Sequence, residues 1–223
     1  MSLMERAKGG PKAQQFKWSL EVIKNLLEAS EQLARKPGAR YDYSPLLRVL
    51  VLTGLRVSEA LALRGCDVDL LGGRLNIEHS LRRDGTLGPP KTEAGRRIVP
   101  LSAELVELLV QLIPIDAEED DFVFHAKGNA QRPLSYFNFR TRGFEPALKT
   151  AGLDEKGITV HSLRHAAVSM FAWAGLTLVE VAAIVGHADA SVTAKVYSHL
   201  FESDDVHARV RAAQASLSGG ASS

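Results

Sequence analysis

The sequence predicts a mainly α-helical domain that carries one small antiparallel three-stranded β-sheet. Apolar residues recur at three- and four-residue spacing through most of the chain, as on the buried face of a helix. One stretch, Leu71 to Leu101, alternates instead, as a strand does. Gly, Pro and acidic breakers separate the segments at intervals too short for long structureless loops. With 223 residues and 45% hydrophobic content, the chain is large and apolar enough to bury a core of its own.

The elements follow in order. Residues 1–18 are polar and without periodicity, and read as a leader and linker, with the opening Met-Ser-Leu-Met set aside. Ser19 is suited to capping a helix that presents Leu20, Val22, Ile23, Leu26 and Leu27 and stops at Pro37-Gly38. Leu46 to Leu52 forms a second apolar helix running into Thr53-Gly54, and Val57 to Leu63 a short third one. In the alternating stretch, Arg74 to His79 reads as a strand, Glu93-Ala94-Gly95 as a turn, and Arg96 to Val99 as the returning antiparallel strand. Ser102 caps a helix over Ala103 to Ile113, and an acidic loop follows. Phe122 to Phe124 is a short buried piece, and Leu134 to Ala151 is largely helical. Three helices over Ser162–Ala174, Leu178–Val185 and Ser191–His199 close the main body, residues 19–203. Residues 204–223 hold a last amphipathic helix, about Asp205 to Leu217, and a Ser/Gly tail.

Composition narrows the setting. A lone Cys66 forms no internal disulfide, which fits a reducing cytoplasm. No apolar run approaches the roughly 20 residues that span a bilayer, so no membrane partner is expected. The net charge of +1 neither demands nor forbids a nucleic-acid partner. Local charge is less even: Arg82, Arg83, Lys91, Arg96 and Arg97 face only Asp84 and Glu93, while acids gather in Asp116 to Asp121 and at Glu202, Asp204 and Asp205. By itself such a basic hairpin is as readily a solvated surface as a binding site.

Three segments carry candidate chemistry. Thr53-Gly54-Leu55-Arg56-Val57-Ser58-Glu59 sets an arginine at a helix junction, His161-Ser162-Leu163-Arg164-His165 opens a helix, and Gly186-His187 precedes Tyr197 by ten residues. Singly, each has an ordinary explanation: Arg56 pairing with Glu59 across one turn, His161 as a cap, Tyr197 as a packed aromatic. In order, with PPKTEAGRRIVPL between the first and second, they resemble the phage integrase, or tyrosine recombinase, family. The resemblance runs from about Ser19 to about Leu217 and implies that family's catalytic domain, acting on double-stranded DNA. It implies Arg56, Lys91, His161, Arg164 and His187 as the site and Tyr197 as the nucleophile.

The chemistry asks for such a set. In-line displacement at a phosphodiester builds negative charge on the non-bridging oxygens, and two guanidiniums, Arg56 and Arg164, can clamp it. A tyrosine forms a covalent intermediate that keeps the bond energy for rejoining, and the resemblance implies that it is a 3′-phosphotyrosine. A phenol with a pKa of about 10 benefits from a nearby proton acceptor, for which His161 is the candidate. The resemblance assigns to Lys91 the proton for the departing 5′-oxygen, and to His187 a hydrogen bond to the phosphate. Glu59, one turn past Arg56, is the expected support behind it. His161 and His165 stand four apart, as metal ligands on a helix can. Arg164 beside them repels a cation, and no Cys or acid has ligand spacing, so neither metal nor cofactor is expected.

Members of the resembled family carry a helical DNA-clamping module before this domain. The chain is accordingly expected to be part of a longer protein, monomeric alone and tetrameric on DNA when complete. A type IB topoisomerase-like relaxing enzyme and a non-catalytic helical DNA-binding module are the alternatives.

Overall fold

The computed structural model describes residues 16–189 together with Ser191, Ala194 and Tyr197. The expected leader over residues 1–15, most of the helix over 191–199 and all of residues 204–223 lie outside the described residues.

Helix α1 (Leu20–Ala34) starts where Ser19 accepts a hydrogen bond from the Val22 N–H at 3.2 Å. It buries Ile23, Leu26 and Leu27, whereas Leu20 faces solvent. Helix α2 (Ser44–Thr53) is buried on nearly every side, with Leu46, Leu47, Val49, Leu50 and Val51 in the core. It packs between α1 and a later helix, which explains an apolar content that no single amphipathic stripe would need. The third helix, α3 (Val57–Ala60), is shorter than the sequence suggests, because Leu61 and Ala62 turn away to bury themselves.

The three-stranded sheet is present, in the order β1 (Val68–Asp69), β2 (Arg74–Ile77), β5 (Arg97–Pro100), antiparallel throughout. Leu75 stands opposite Val99 and Ile77 opposite Arg97, so Leu75, Ile77 and Val99 line the face turned to the core. His79 falls beyond the strand expected to include it, and a two-stranded hairpin, β3 (Ser80–Leu81) and β4 (Leu87–Gly88), branches off before β5.

Helix α4 (Ala103–Leu112) is capped by Ser102, as expected. Phe122, Val123 and Phe124 are buried, and a hairpin not anticipated from sequence follows, β6 (His125–Ala126) with β7 (Asn129–Pro133). The helical stretch after Leu134 is in three parts: α5 (Tyr136–Asn138), a π-helical turn over Phe139–Phe144, and α6 (Glu145–Thr150). The wide turn lets Phe139 and Phe144 both reach the core while Gly143 backs onto Tyr43. Helices α7 (Ser162–Trp173) and α8 (Leu178–Val185) complete the described body. The large core runs from α1 and α2 across the sheet to Phe139, and a smaller cluster joins Val168, Val181, Val185 and Tyr197. Tyr197 belongs to the smaller cluster, and α7, which carries Arg164, contributes Leu163 and Ala166 to the large core and Val168 to the small one.

Candidate active site

Gly54 ends α2 in the left-handed conformation, φ +67°. A methyl group there would stand 3.0 Å from Val185 Cγ1 and 3.1 Å from Ala167 Cβ, so α2, α7 and α8 converge on a position only glycine fills without strain. The chain then turns to place Arg56 at the head of α3. The Arg56 N–H donates to Glu59 Oε2 at 3.0 Å, its Nη1 to Oε1 at 2.6 Å, and its Nη2 to the Gly186 carbonyl at 3.2 Å. Glu59 is thus found behind Arg56, as the spacing suggests. Its carboxyl is 2% exposed; burial alone would raise its pKa, but the hydrogen bond and charge of Arg97, then those of Arg56, hold it below the usual range.

Arg164 is 3% exposed. Its Nη1 donates to the Gly54 carbonyl at 2.7 Å, whereas Nη2, also buried, has no hydrogen-bond partner among the described residues. Burial, then the charge of Arg56, bring its pKa down to about 9, which leaves it cationic at neutral pH. A buried N–H without a partner costs on the order of 1–3 kcal/mol, more when charged.

Burial and neighbouring cations disfavour the protonated form of the histidines around it. Burial, then Arg164 and Arg56, lower His187 to about 4; burial, then His161 and Arg164, lower His165 to about 4; His161 is lowered by desolvation, then by Arg164 and Arg56. Tyr197 lies in the smaller core, and its hydroxyl hydrogen-bonds His165 Nδ1. With the phenol donating, Nδ1 accepts and the ring proton sits on Nε2. The hydrogen bond described for the Tyr197 hydroxyl is thus with His165, one helical turn after His161. His161 is the N-cap of α7 and exposed, and its ring meets that of His165 edge-on at 5.3 Å. The residue one turn further along the same face is the one that reaches inward.

Lys91 stands apart from these contacts. It is exposed in the bend between β4 and the single turn Glu93–Gly95, and forms no hydrogen bond or ion pair among the described residues. The two arginines after that turn diverge. Arg96 is exposed and meets Glu78 at 3.5 Å, whereas the Arg97 side chain is 6% exposed and meets Glu59 at 2.9 Å. Sequence reasoning did not single out His165 or Arg97, which the structure brings into contact with Tyr197 and Glu59. The signals were the four-residue spacing from His161 and the fixed place of Arg97 at the end of Lys-Thr-x-x-Gly-x-Arg. Among the described residues, no three His, Cys, Asp or Glu side chains are arranged to hold a metal ion.

Beside α3, a cleft of about 710 Å³ opens over Val57 and Ser58 and is lined by Arg82, Arg83, Arg132 and Phe137. It shares Arg132 to Ser135 with a second cleft of about 680 Å³, lined by Arg40, Lys127 and Arg142. Six cations thus line the two adjoining clefts, with Asp84 the single acid among their lining residues, in a chain whose charges otherwise nearly balance.

Comparison with known proteins gives a consistent outcome. The model of the phage integrase family matches residues 19–204. The chain is 31% identical over 172 residues to the transposase of transposon Tn916 from Enterococcus faecalis, covering 71% of this chain and 42% of that protein. It is 30% identical over 194 residues to the tyrosine recombinase XerD of Rickettsia bellii, covering 82% and 59%. In three dimensions it is similar to the Tn1549 transposon integrase in complex with a circular intermediate DNA, with a TM-score of 0.70 at 20% identity over 90% of this chain and 66% of that one. It is also similar to the catalytic domain of bacteriophage HP1 integrase, with a TM-score of 0.55 at 22% identity over 84% and 89%. The chain spans about two-fifths to three-fifths of the curated relatives named here.

Proposed function

We propose that this chain, which belongs to the phage integrase family, is the catalytic domain of a site-specific recombinase that cuts and rejoins double-stranded DNA through Tyr197. The observation that carries the reading is the buried Arg164 Nη2, without a partner among the described residues, beside Arg56 and within electrostatic range of Tyr197. An anionic phosphate is the acceptor such a nitrogen fits, and the arginine-lined clefts beside α3 offer further cations to a duplex backbone.

In the step proposed, the Tyr197 oxygen attacks the phosphorus while its proton moves to His165 Nδ1. The bond to the 5′-oxygen breaks, and that oxygen takes a proton from the Lys91 ammonium. The product is a 3′-phosphotyrosine and a free 5′-hydroxyl; rejoining is the same step reversed. Arg56 and Arg164 neutralise the charge on the non-bridging oxygens, His187 adds a hydrogen bond to one of them, and His161 stands at the open edge beside His165. Fixed donors of this kind act without reorganising at the moment of reaction. The domain would work in the cytoplasm as part of a longer protein, four copies meeting on two DNA sites.

The test is a duplex nicked just past the scissile phosphate, so that a short fragment diffuses away and the adduct is trapped. The wild-type chain is expected to form a detergent-stable covalent complex, and Tyr197→Phe to bind the same DNA without forming one. An adduct that persists in Tyr197→Phe, or that maps to another residue, overturns the assignment.

A further inference from the structure

Three catalytic stretches far apart in sequence, α3, the Lys91 turn and the end of α8, meet on one buried guanidinium. Arg97 Nη2 donates to Glu59 Oε2 at 2.9 Å, Nη1 to the Gly95 carbonyl at 2.8 Å and Nε to the Ile184 carbonyl at 2.7 Å. Each contact leads to a residue of the proposed reaction. The other oxygen of Glu59 holds Arg56 Nη1 at 2.6 Å. Gly95 is packed so closely on Pro90 that a methyl group would stand 2.4 Å from Pro90 Cβ, and Pro90 is the residue before Lys91. Ile184 lies one turn before His187. Between them, a methyl group on Gly186 would meet the Ala94 carbonyl and Arg97 Nη1, each at 2.9 Å.

We infer that Arg97 is a positioning residue for strand cleavage: it fixes Arg56, the Lys91 turn and the His187 turn in one relation to the scissile phosphate. Its planar fork sends three N–H groups in set directions, and a lysine at the same place supplies charge without that geometry. The inference rests on the reading of Tyr197 and Lys91 given above. It goes further in predicting that the loss of Arg97 is felt at the leaving group, which Arg97 itself does not touch.

The leaving-group chemistry supplies the test. A substrate with sulfur in place of the bridging 5′-oxygen expels a thiolate, which departs without a proton, so cleavage no longer depends on where Lys91 stands. Single-turnover adduct formation is measured on the oxygen and sulfur substrates for the wild-type chain, Arg97→Gln and Arg97→Lys. Circular dichroism melts fix a temperature at which each variant is folded. Arg97→Gln is expected to lose on the order of 10²-fold on the oxygen substrate, the scale of an ångström of misplacement at a reacting centre. It is expected to recover at least tenfold of that loss on the sulfur substrate, and Arg97→Lys to show the same split to a smaller degree. Equal losses on the two substrates, or unchanged cleavage by a folded Arg97→Gln, overturn the inference. Should Arg97→Gln not fold, Arg97→Lys decides by the same comparison. A wild-type chain that makes no Tyr197 adduct would instead sink the underlying reading, so the two failures are distinguishable.

Discussion

Gly186 offers a quantitative check on how tightly the end of α8 is fitted against the hairpin. It caps the helix at φ +72°, so alanine there incurs the left-handed penalty, about 1–2 kcal/mol. Its methyl group would also lie 2.9 Å from the Ala94 carbonyl and 2.9 Å from Arg97 Nη1. Neither neighbour is free to yield, since one is backbone and the other is pinned by three hydrogen bonds. Overpacking of this sort adds about 1–3 kcal/mol. Gly175, after α7, is the matched control: its φ is +88° and nothing lies within 4 Å of the added methyl. Gly175→Ala should therefore cost only the conformational part. At about 2–4 °C per kcal/mol for a chain of this size, Gly186→Ala is expected to lower the melting temperature by roughly 4–20 °C and Gly175→Ala by roughly 2–8 °C. Urea titrations give the same comparison in free energy. Equal losses for the two variants would refute the close contact, and with it the claim that the hairpin and α8 are locked together.

Two further expectations follow from charge. His165 and His187 titrate at about 4 in the folded chain against about 6.5 unfolded, chiefly through burial. Between those values the unfolded chain binds more protons, so stability is full above about 6.5 and declines as pH falls toward 4. The pair should contribute on the order of 2–4 kcal/mol to that decline, read as the difference between urea unfolding at pH 7 and pH 4.5; a His165→Gln, His187→Gln variant with the same slope would refute it. Arg132 borders both clefts. Arg132→Ala should weaken DNA binding of any sequence and reduce the slope of log affinity against log salt by about 1; an unchanged slope places the duplex elsewhere.

Much of the architecture was legible because burial follows a period. The Ser19 and Ser102 caps, the two later helices and the alternation of Leu75 and Ile77 depend on near neighbours alone. The β6–β7 hairpin escaped because Asn129 to Pro133 is polar and half-exposed, with no apolar face to announce it. In the site, the boxes were legible as an ordered set, and Glu59 was legible from helical spacing. The choice between His161 and His165, and between Arg96 and Arg97, was not. Each pair differs only in which member points inward, and that is decided by partners over thirty residues away: Tyr197 for His165, Glu59 and Ile184 for Arg97.

The parity of the sheet nevertheless shows what the buried arginine is for. Val99 faces the core, and residues two apart in a strand share a face, so Arg97 occupies a position the pattern reserves for an apolar side chain. A well-packed hydrophobic residue would serve stability at least as well as a buried ion pair. Among the described residues, Arg56, Arg97 and Arg164 have one buried carboxylate among them, Glu59, so three positive charges meet one negative there. A fold selected for stability alone would balance that account within its own residues. The phosphate of the proposed reaction would supply the missing negative charge. Arg164 Nη2, buried and without a hydrogen-bond partner among the described residues, is a donor such a phosphate would meet.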